Sequence, residues 1–318
     1  MTTGAARFDP TYLSLAREGE LSRRVSRGAE LLRSCVLCPR RCGEDRLSGQ
    51  VGWCRAGLLA KVASWNLHRW EEPPISGWIG SGTIFFSNCT ARCLFCQNYP
   101  ISQLGVGREV TPARLAEMML ELQAKGAHNI NLVTPTHFVP QVLQALTAAI
   151  PQGFRLPIIY NTSGYESPET MALLDGIVDV YLPDAKYGDE QMAKRIAGYT
   201  GYVSANRAAL REMLRQVGDE LILDDLGIAR RGMIIRHLVL PNALSQTGEV
   251  LAWLAANLSP RVWVSLMDQY FPAHRAIDHP LLGRKLTALE YDAAVDAFHA
   301  AGLQNGWLQE HDDQQYPA

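Results

Sequence analysis

The stretch TIFFSNCTARCLFCQNY, residues 83–99, joins a short β-rich apolar run to three cysteines spaced C-x3-C-x2-C. The run reads as a buried strand, which places Cys89, Cys93 and Cys96 on the loop directly after it. Three thiolates on a tight loop suit three corners of a cubane [4Fe-4S] cluster and leave its fourth iron without a protein ligand. A structural metal site closes all four positions, so a triplet at a strand end points to chemistry at the vacant one.

Downstream of Thr83, β-rich runs alternate with longer amphipathic segments. The runs start at 83 (TIFFSN), 129 (NINLVTP), 157 (PIIYNTS), 178 (VDVYLPDA), 233 (MIIRHLVLP) and 261 (RVWVSLMDQ). In the first helical segment, TPARLAEMMLELQAKG, Thr111 reads as the cap, Pro112 as the first-turn residue and Gly126 as the stop. Serial βα units imply a parallel sheet with right-handed crossovers. Each run ends in polar or unusual residues: Asn88-Cys89, Thr134 to His137, Asn161 to Glu166, Asp184 to Lys186, Pro241-Asn242 and Asp268 to Tyr270. Barrel enzymes keep their chemistry at that end of the strands, so the pattern favours a barrel with a site at its rim.

The residue totals exclude some classes. With 30 Lys+Arg against 32 Asp+Glu, the chain lacks the basic surplus of a nucleic-acid-coating protein. No apolar run approaches the roughly 18 residues that span a bilayer, and the first residues lack a signal-peptide core. A soluble, cytoplasmic protein with no membrane role is expected. All seven cysteines, at 35, 38, 42, 54, 89, 93 and 96, lie in the first third. In a reducing compartment such spacings indicate metal or redox chemistry rather than disulfides.

The loop NCTARCLFCQNY resembles the signature of the radical S-adenosylmethionine superfamily, including the aromatic Phe95 before the last cysteine, which in that family lies near the adenine. The resemblance runs through about residues 83 to 270. The strings CPRRCGEDR, EEPPISG, TPTH, YNTSGYE and PDAKY are similar to a branch of pyruvate formate-lyase activating enzyme-like proteins with an extra cysteine-rich N-terminal region. The fold implied is α/β, a partial (β/α)6 TIM-like barrel of the radical SAM type with an N-terminal cysteine-rich metal-binding extension. The boundaries expected are a helical appendage at 1–33, the cysteine-rich region and connector at 34–82, the core at 83–303 and a polar tail from 304 to 318.

The resemblance also implies a reaction. A [4Fe-4S] cluster on Cys89, Cys93 and Cys96 binds S-adenosylmethionine, an electron from a flavodoxin or ferredoxin cleaves the C5′–S bond, and the 5′-deoxyadenosyl radical takes hydrogen from a substrate. The substrate is a protein glycine, as in glycyl-radical enzyme activation, or a small molecule. Family members hold the methionine amino group with a Gly-Gly-Glu stretch, where this chain has Thr134, Pro135, Thr136 and His137; the two threonines are the replacement contacts expected. Asn161 and Ser163 match ribose or methionine contacts in position, and Asp184 with Lys186 resembles an Asp-x-Lys motif whose lysine meets the methionine carboxylate. Arg236 and His237 interrupt a strand, so one of them faces inward. Gln269 and Tyr270 are candidates to shape the substrate end.

Cys35, Cys38, Cys42 and Cys54, spaced C-x2-C-x3-C-x11-C, suit a closed second site holding zinc or a fully ligated Fe–S cluster. Zinc would staple the N-terminal region to the barrel; a cluster would also relay electrons. Trp65, Trp70, Trp78, His68 and the EEPP run are expected to pack this knot against the barrel, while His311, Asp312 and Asp313 form a solvated tail cluster. Two other readings stay open on sequence alone: a metal-stabilised binding or scaffold protein on a degenerate barrel, and radical modification of RNA, which the neutral charge disfavours.

Overall fold

The computed structural model describes residues 8–309, and all six apolar runs form strands. Ten strands occur among the described residues: β1 Ala60–His68, β2 Ser81–Phe86, β3 Arg108–Val110, β4 Ile130–Val133, β5 Ile158–Thr162, β6 Val180–Pro183, β7 Ile222–Leu223, β8 Ala229–Leu238, β9 Trp263–Met267 and β10 Asn305–Leu308. Strands β2, β4, β5, β6, β8, β9 and β10 are parallel and neighbour one another in chain order. A winding that always advances the same way makes a barrel wall, whereas a doubly wound sheet reverses at its centre. Because β2 does not pair with β10, the barrel is partial. Its α/β fold is the one expected, with β1 and β3 added antiparallel beyond β2.

Local sequence accounts for the crossover helices. Helix Pro112–Ala124 starts with the Thr111 hydroxyl accepting the Arg114 amide and is followed by left-handed Gly126. Its leucines and methionines bury one face against the outer side of the sheet. Strand alternation sends Ile130, Leu132, Ile158, Tyr160, Met233, Ile235, Val264 and Leu266 to that outer side. The inner side carries Ile159, Val180, Leu182, Ile234 and Trp263.

Three expectations change. The tail read from Gln304 begins with β10, a seventh parallel strand beside β9, because four residues at a sheet edge give too short a pattern to recognise; residues 310–318, with His311, Asp312 and Asp313, lie outside the described residues. The N-terminal segment is not an appendage: helices Tyr12–Arg17 and Glu20–Leu31 dock on the barrel, where Tyr12 is fully buried, bonds the Leu156 carbonyl and stacks on Phe154. Nor does the connector pack the cysteine knot. Trp65 donates to Glu121, exposed Trp78 sits edge-on to His128, and the EEPPIS stretch reaches into the barrel interior.

There Ile75, fully buried, packs among Ile159, Val180, Leu182, Ala229 and Ile234. Asn129 donates to its carbonyl at 2.8 Å. Above it Arg236 donates to Glu72 at 2.8 and 2.6 Å and to Glu71, while Asn131 donates to Glu71 at 2.9 Å. Burial alone would raise the Glu72 carboxyl, but the adjacent guanidinium holds it below the ordinary range.

Ile75→Ala leaves a cavity no neighbour can fill and should cost about 2–5 kcal/mol, read as a lower urea midpoint at unchanged slope; a loss under about 1 kcal/mol would mean the segment does not plug the barrel. Asp179 provides a pH test. It is fully buried, accepts the Ile158 and Thr11 amides, and burial pushes its carboxyl up to about 7. The folded chain thus keeps a proton that the unfolded chain releases near pH 4. This stabilisation is complete below about pH 4 and is lost as pH rises to about 7, by up to about 1.4 kcal/mol per unit. Asp179→Asn should therefore flatten the stability profile over that window; parallel profiles for the two proteins would contradict the assignment.

Candidate active site at the barrel mouth

The chain leaves β2 through Asn88, whose left-handed φ of 70° turns it into the cysteine loop. The loop is fixed from several sides. Arg92 and Leu94 donate backbone amides to the Ala197 and Ile196 carbonyls at the end of helix Glu190–Ala197, at 2.8 and 2.9 Å. Gln103 donates to the Cys93 carbonyl at 2.8 Å, the Ala91 amide points at the Cys89 sulfur at 3.3 Å, and Cys96 Sγ lies 3.1 Å from Ser102 Oγ. Cys89, Cys93 and Cys96 thus sit together at the C-terminal end of the strands, as the sequence places them.

Burial pushes the Cys89 thiol up to about 11 and raises Cys93 as well; Cys96 raises Cys89 further, and Cys96 and Cys89 raise Cys93, whereas the Lys186 cation lowers both. Such thiols ionise when a Lewis acid replaces the proton. Among the described residues no three His, Cys, Asp or Glu side chains are arranged to hold a metal ion. A cubane is larger than one ion and takes each thiolate at a separate corner. Two buried hydroxyls at this site make no hydrogen bond among the described residues: Thr90 Oγ1, between Cys89 and Cys93, and the phenol of Tyr187, which feels the Cys93 charge. Unpaired buried donors call for an acceptor, and the sulfides of an Fe–S cluster are acceptors. The residues present fit such a group.

Beneath the loop, the mouth opens into a cavity of about 640 Å³. Phe85, Val133, Asn161, Asp184, Met267 and Trp307 line its wall, Arg236 with Glu71 and Glu72 its floor, and Gln97, Gln269 and Trp70 its rim. Of the predicted contacts, Asn161 and Asp184 face this cavity. Asp184 pairs with Lys186 at 2.6 Å; burial disfavours the ammonium, but Asp184 and Cys93 more than offset this and raise its pKa. Phe95 is buried, edge-on to Tyr270 at 5.5 Å, and the Tyr270 hydroxyl donates to the Leu282 carbonyl. Ser163 is half-buried, its carbonyl accepting the Tyr202 hydroxyl at 2.9 Å.

Thr134 takes φ 57° at the end of β4, a costly conformation for a β-branched residue. It occupies the stretch where the resembled family has glycines, for which this geometry is free. Thr136 is turned away, its hydroxyl donating to Glu166 at 2.8 Å in a buried cluster with Thr162 and Tyr160. Burial holds the Glu166 carboxyl up at about 7. His137 is fully buried with Nε2 2.9 Å from the Ser87 carbonyl and Nδ1 without a partner among the described residues, and burial lowers its pKa to about 4. On β8 it is Arg236 that faces inward; His237 points out, between the Ala185 carbonyl and Thr247. The tyrosines 165, 187, 199 and 202, which form a second core with Phe95 and Ala91, were missed because they are scattered over helices and loops with no period.

The four-cysteine loop closes on itself: the Cys35 amide donates to the Glu44 carbonyl and Gly43 returns a bond to Cys35. Cys35, Cys38 and Cys54 are buried and Cys42 is exposed. Burial pushes Cys38 up to about 12 and raises Cys42 and Cys54, and the Cys35 thiol adds to all three. A Cβ on Gly52 would lie 2.6 Å from Cys42 Sγ, so only glycine lets the two strands of this loop approach.

Residues 83–221 match the family described as the Radical SAM superfamily. The Uncharacterized protein MJ0674 of Methanocaldococcus jannaschii is 30% identical over 298 residues, covering 91% of this chain and 81% of that protein. The chain belongs to the radical SAM superfamily. Among solved structures, HydG, a maturase of the [FeFe]-hydrogenase, has a TM-score of 0.45 at 10% identity over 69% of this chain and 49% of its own. Methylornithine synthase (PylB) has 0.44 at 13% identity, covering 99% and 86%. Neither likeness transfers an activity. Among the described residues no helix is long and apolar enough to cross a membrane.

Cys89→Ala, reconstituted anaerobically, should lose about four irons per chain while its melting temperature stays close to the parent's; iron content equal to the parent's would remove the triplet from the cluster site.

Proposed function

We propose that this chain is a radical S-adenosylmethionine enzyme that takes hydrogen from a small polar molecule seated in the barrel cavity. The observation that carries the reading is the position of Cys89, Cys93 and Cys96, three thiols on the loop whose Gln97 and Asn98 line a floored cavity, with Lys186, paired to Asp184, near enough to Cys89 and Cys93 to affect their ionisation. A cluster bound there supplies, with S-adenosylmethionine on its open iron and one electron from a flavodoxin- or ferredoxin-type donor, the 5′-deoxyadenosyl radical.

The chain's own part is to position and shield. Lys186 meets the methionine carboxylate, exchanging part of its contact with Asp184, and Asn161 supplies hydrogen bonds from the wall. The strained Thr134 backbone supports a reading in which the β4 end, in place of Gly-Gly-Glu, receives the amino group. Ile75 and the Arg236–Glu71–Glu72 layer close the cavity from below, keeping water from the reacting atoms. A glycyl-radical enzyme, the substrate of the resembled activating branch, would have to thread a backbone loop into this space; a cavity closed below by the charged Arg236–Glu71–Glu72 layer favours a small polar molecule. For the four-cysteine loop we favour a fully ligated Fe–S cluster over zinc, because no set of side chains among the described residues is arranged to hold a single ion, while its buried thiols are near enough to affect one another's ionisation.

The test is S-adenosylmethionine cleavage by anaerobically reconstituted, reduced protein. Methionine and 5′-deoxyadenosine should form, with Lys186→Ala raising the KM for S-adenosylmethionine about tenfold or more through loss of a charge-assisted contact. No product from protein with a filled, reducible cluster would overturn the reading.

A further inference from the structure

The four-cysteine loop and the triplet loop are separated in sequence by the whole of β1 and the EEPPIS plug, yet side chains join them at three points. Arg40, between Cys38 and Cys42, donates Nε to the Thr90 carbonyl at 2.9 Å and Nη2 to the Gly198 carbonyl at 2.6 Å. Arg92, between Cys89 and Cys93, donates to the carbonyl of Trp53, next to Cys54, at 2.5 Å and to its own loop at Cys89 and Ala91. Asn88, just before Cys89, donates to the carbonyl of Arg55, just after Cys54, at 3.2 Å. Both residues of this last bond are left-handed, Asn88 at φ 70° and Arg55 at φ 56°. Each loop therefore spends a strained residue beside a cysteine to make the contact.

The junction is packed as well as bonded. The Arg40 guanidinium lies 4.2 Å from the Trp53 ring centroid and that of Arg92 5.4 Å from it. Cys38 shares one buried core with Ala91 and Phe95, and Cys89 and Cys93 pack against that core. Two guanidiniums are thus held together with no carboxylate among the described residues bonded to either; backbone carbonyls accept from both and one indole packs against both. Arg40 lies between Cys38 and Cys42 and Trp53 lies next to Cys54, so a ligand tying those sulfurs would fix the backbone that makes these bonds.

We propose that the four-cysteine site is a brace for the catalytic cluster, and that Arg40 is the positioning residue through which its state reaches Thr90 and the Cys89–Cys93 segment. The proposal rests on the triplet being the cluster site. It adds that closing the quartet sets how firmly, and in what geometry, the triplet holds its cluster.

The experiment compares anaerobically reconstituted full-length wild type with Cys42→Ser, Arg40→Ala, Arg40→Lys and Arg41→Ala. The readouts are the rate of triplet iron loss to a chelator, its share defined by subtraction of the Cys89→Ala protein, and the change that S-adenosylmethionine induces in the reduced cluster's EPR spectrum. Cys42→Ser opens the quartet at its one exposed ligand and should speed triplet iron loss about 10- to 100-fold, as for other residues that orient metal ligands. Arg40→Ala should do the same with the quartet metal still bound. Arg40→Lys should resemble Arg40→Ala, because an ammonium cannot span two carbonyls while stacked on an indole. Arg41→Ala, whose side chain pairs with Glu169 outside the junction, should match wild type.

Wild-type iron retention and spectra in both Cys42→Ser and Arg40→Ala would overturn the brace. If Cys42→Ser does not fold, Arg40→Lys, which keeps charge and stem, decides by itself: wild-type behaviour overturns the proposal and accelerated iron loss sustains it. Because iron loss is followed without S-adenosylmethionine, a wild type that binds its cluster but shows no spectral response would count against the proposed function alone.

Discussion

Arg236, inside the barrel, is bonded by two glutamates from the segment that joins the first two strands. Taking one cation and two carboxylates out of water is costly, and a pair of this kind is weak evidence for stability in itself. Its consequence here is geometric. With Glu72 bonded at two nitrogens and Ile75 seated one layer below, the plug can occupy only one height in the lumen. The inner residues of the strands are thereby divided into an apolar layer around Ile75 and, above the Arg236–Glu71–Glu72 layer, a cavity of mixed lining.

The mouth collects what strand ends deliver. Parallel strands in chain order bring Cys89, Thr134, Asn161, Asp184 and Gln269 to one rim although they are spread over 181 residues. Lys186 is the ammonium paired at this rim, and its neighbours are an aspartate and thiols. A positively charged side chain kept there, with one carboxylate partner, suits exchange with the carboxylate of a bound amino acid moiety. The triplet loop above is held on one side by a helix end and on the other by the four-cysteine loop.

Much of this is legible in the sequence because the signals are local. The Cys89 triplet follows its strand within a few residues, and the runs at 129, 157, 178, 233 and 261 each carry their own period. What is not legible depends on distant partners. EEPPIS looks like a linker because its apolar content is one isoleucine, and only the barrel's inner wall makes that residue a plug. Residues 305–308 form a strand because β9 offers an open edge, not through any pattern of their own. Arg40 and Arg92 read as ordinary basic residues until the fold sets each against the other loop's carbonyls. Thr136 and His137 lie at a strand end as a site residue should, but a buried Glu166 takes the Thr136 hydroxyl and the Ser87 carbonyl takes one ring nitrogen of His137.

The central claim is that the Cys89, Cys93 and Cys96 cluster keeps an iron open to S-adenosylmethionine. It is tested most directly by pulsed EPR of the reduced, reconstituted protein with S-adenosylmethionine labelled at the methionine amino nitrogen. A hyperfine coupling from that nitrogen to the cluster, present in wild type and absent in Cys89→Ala, is the result the account predicts. A fully reduced triplet cluster that shows no such coupling at saturating S-adenosylmethionine would contradict it.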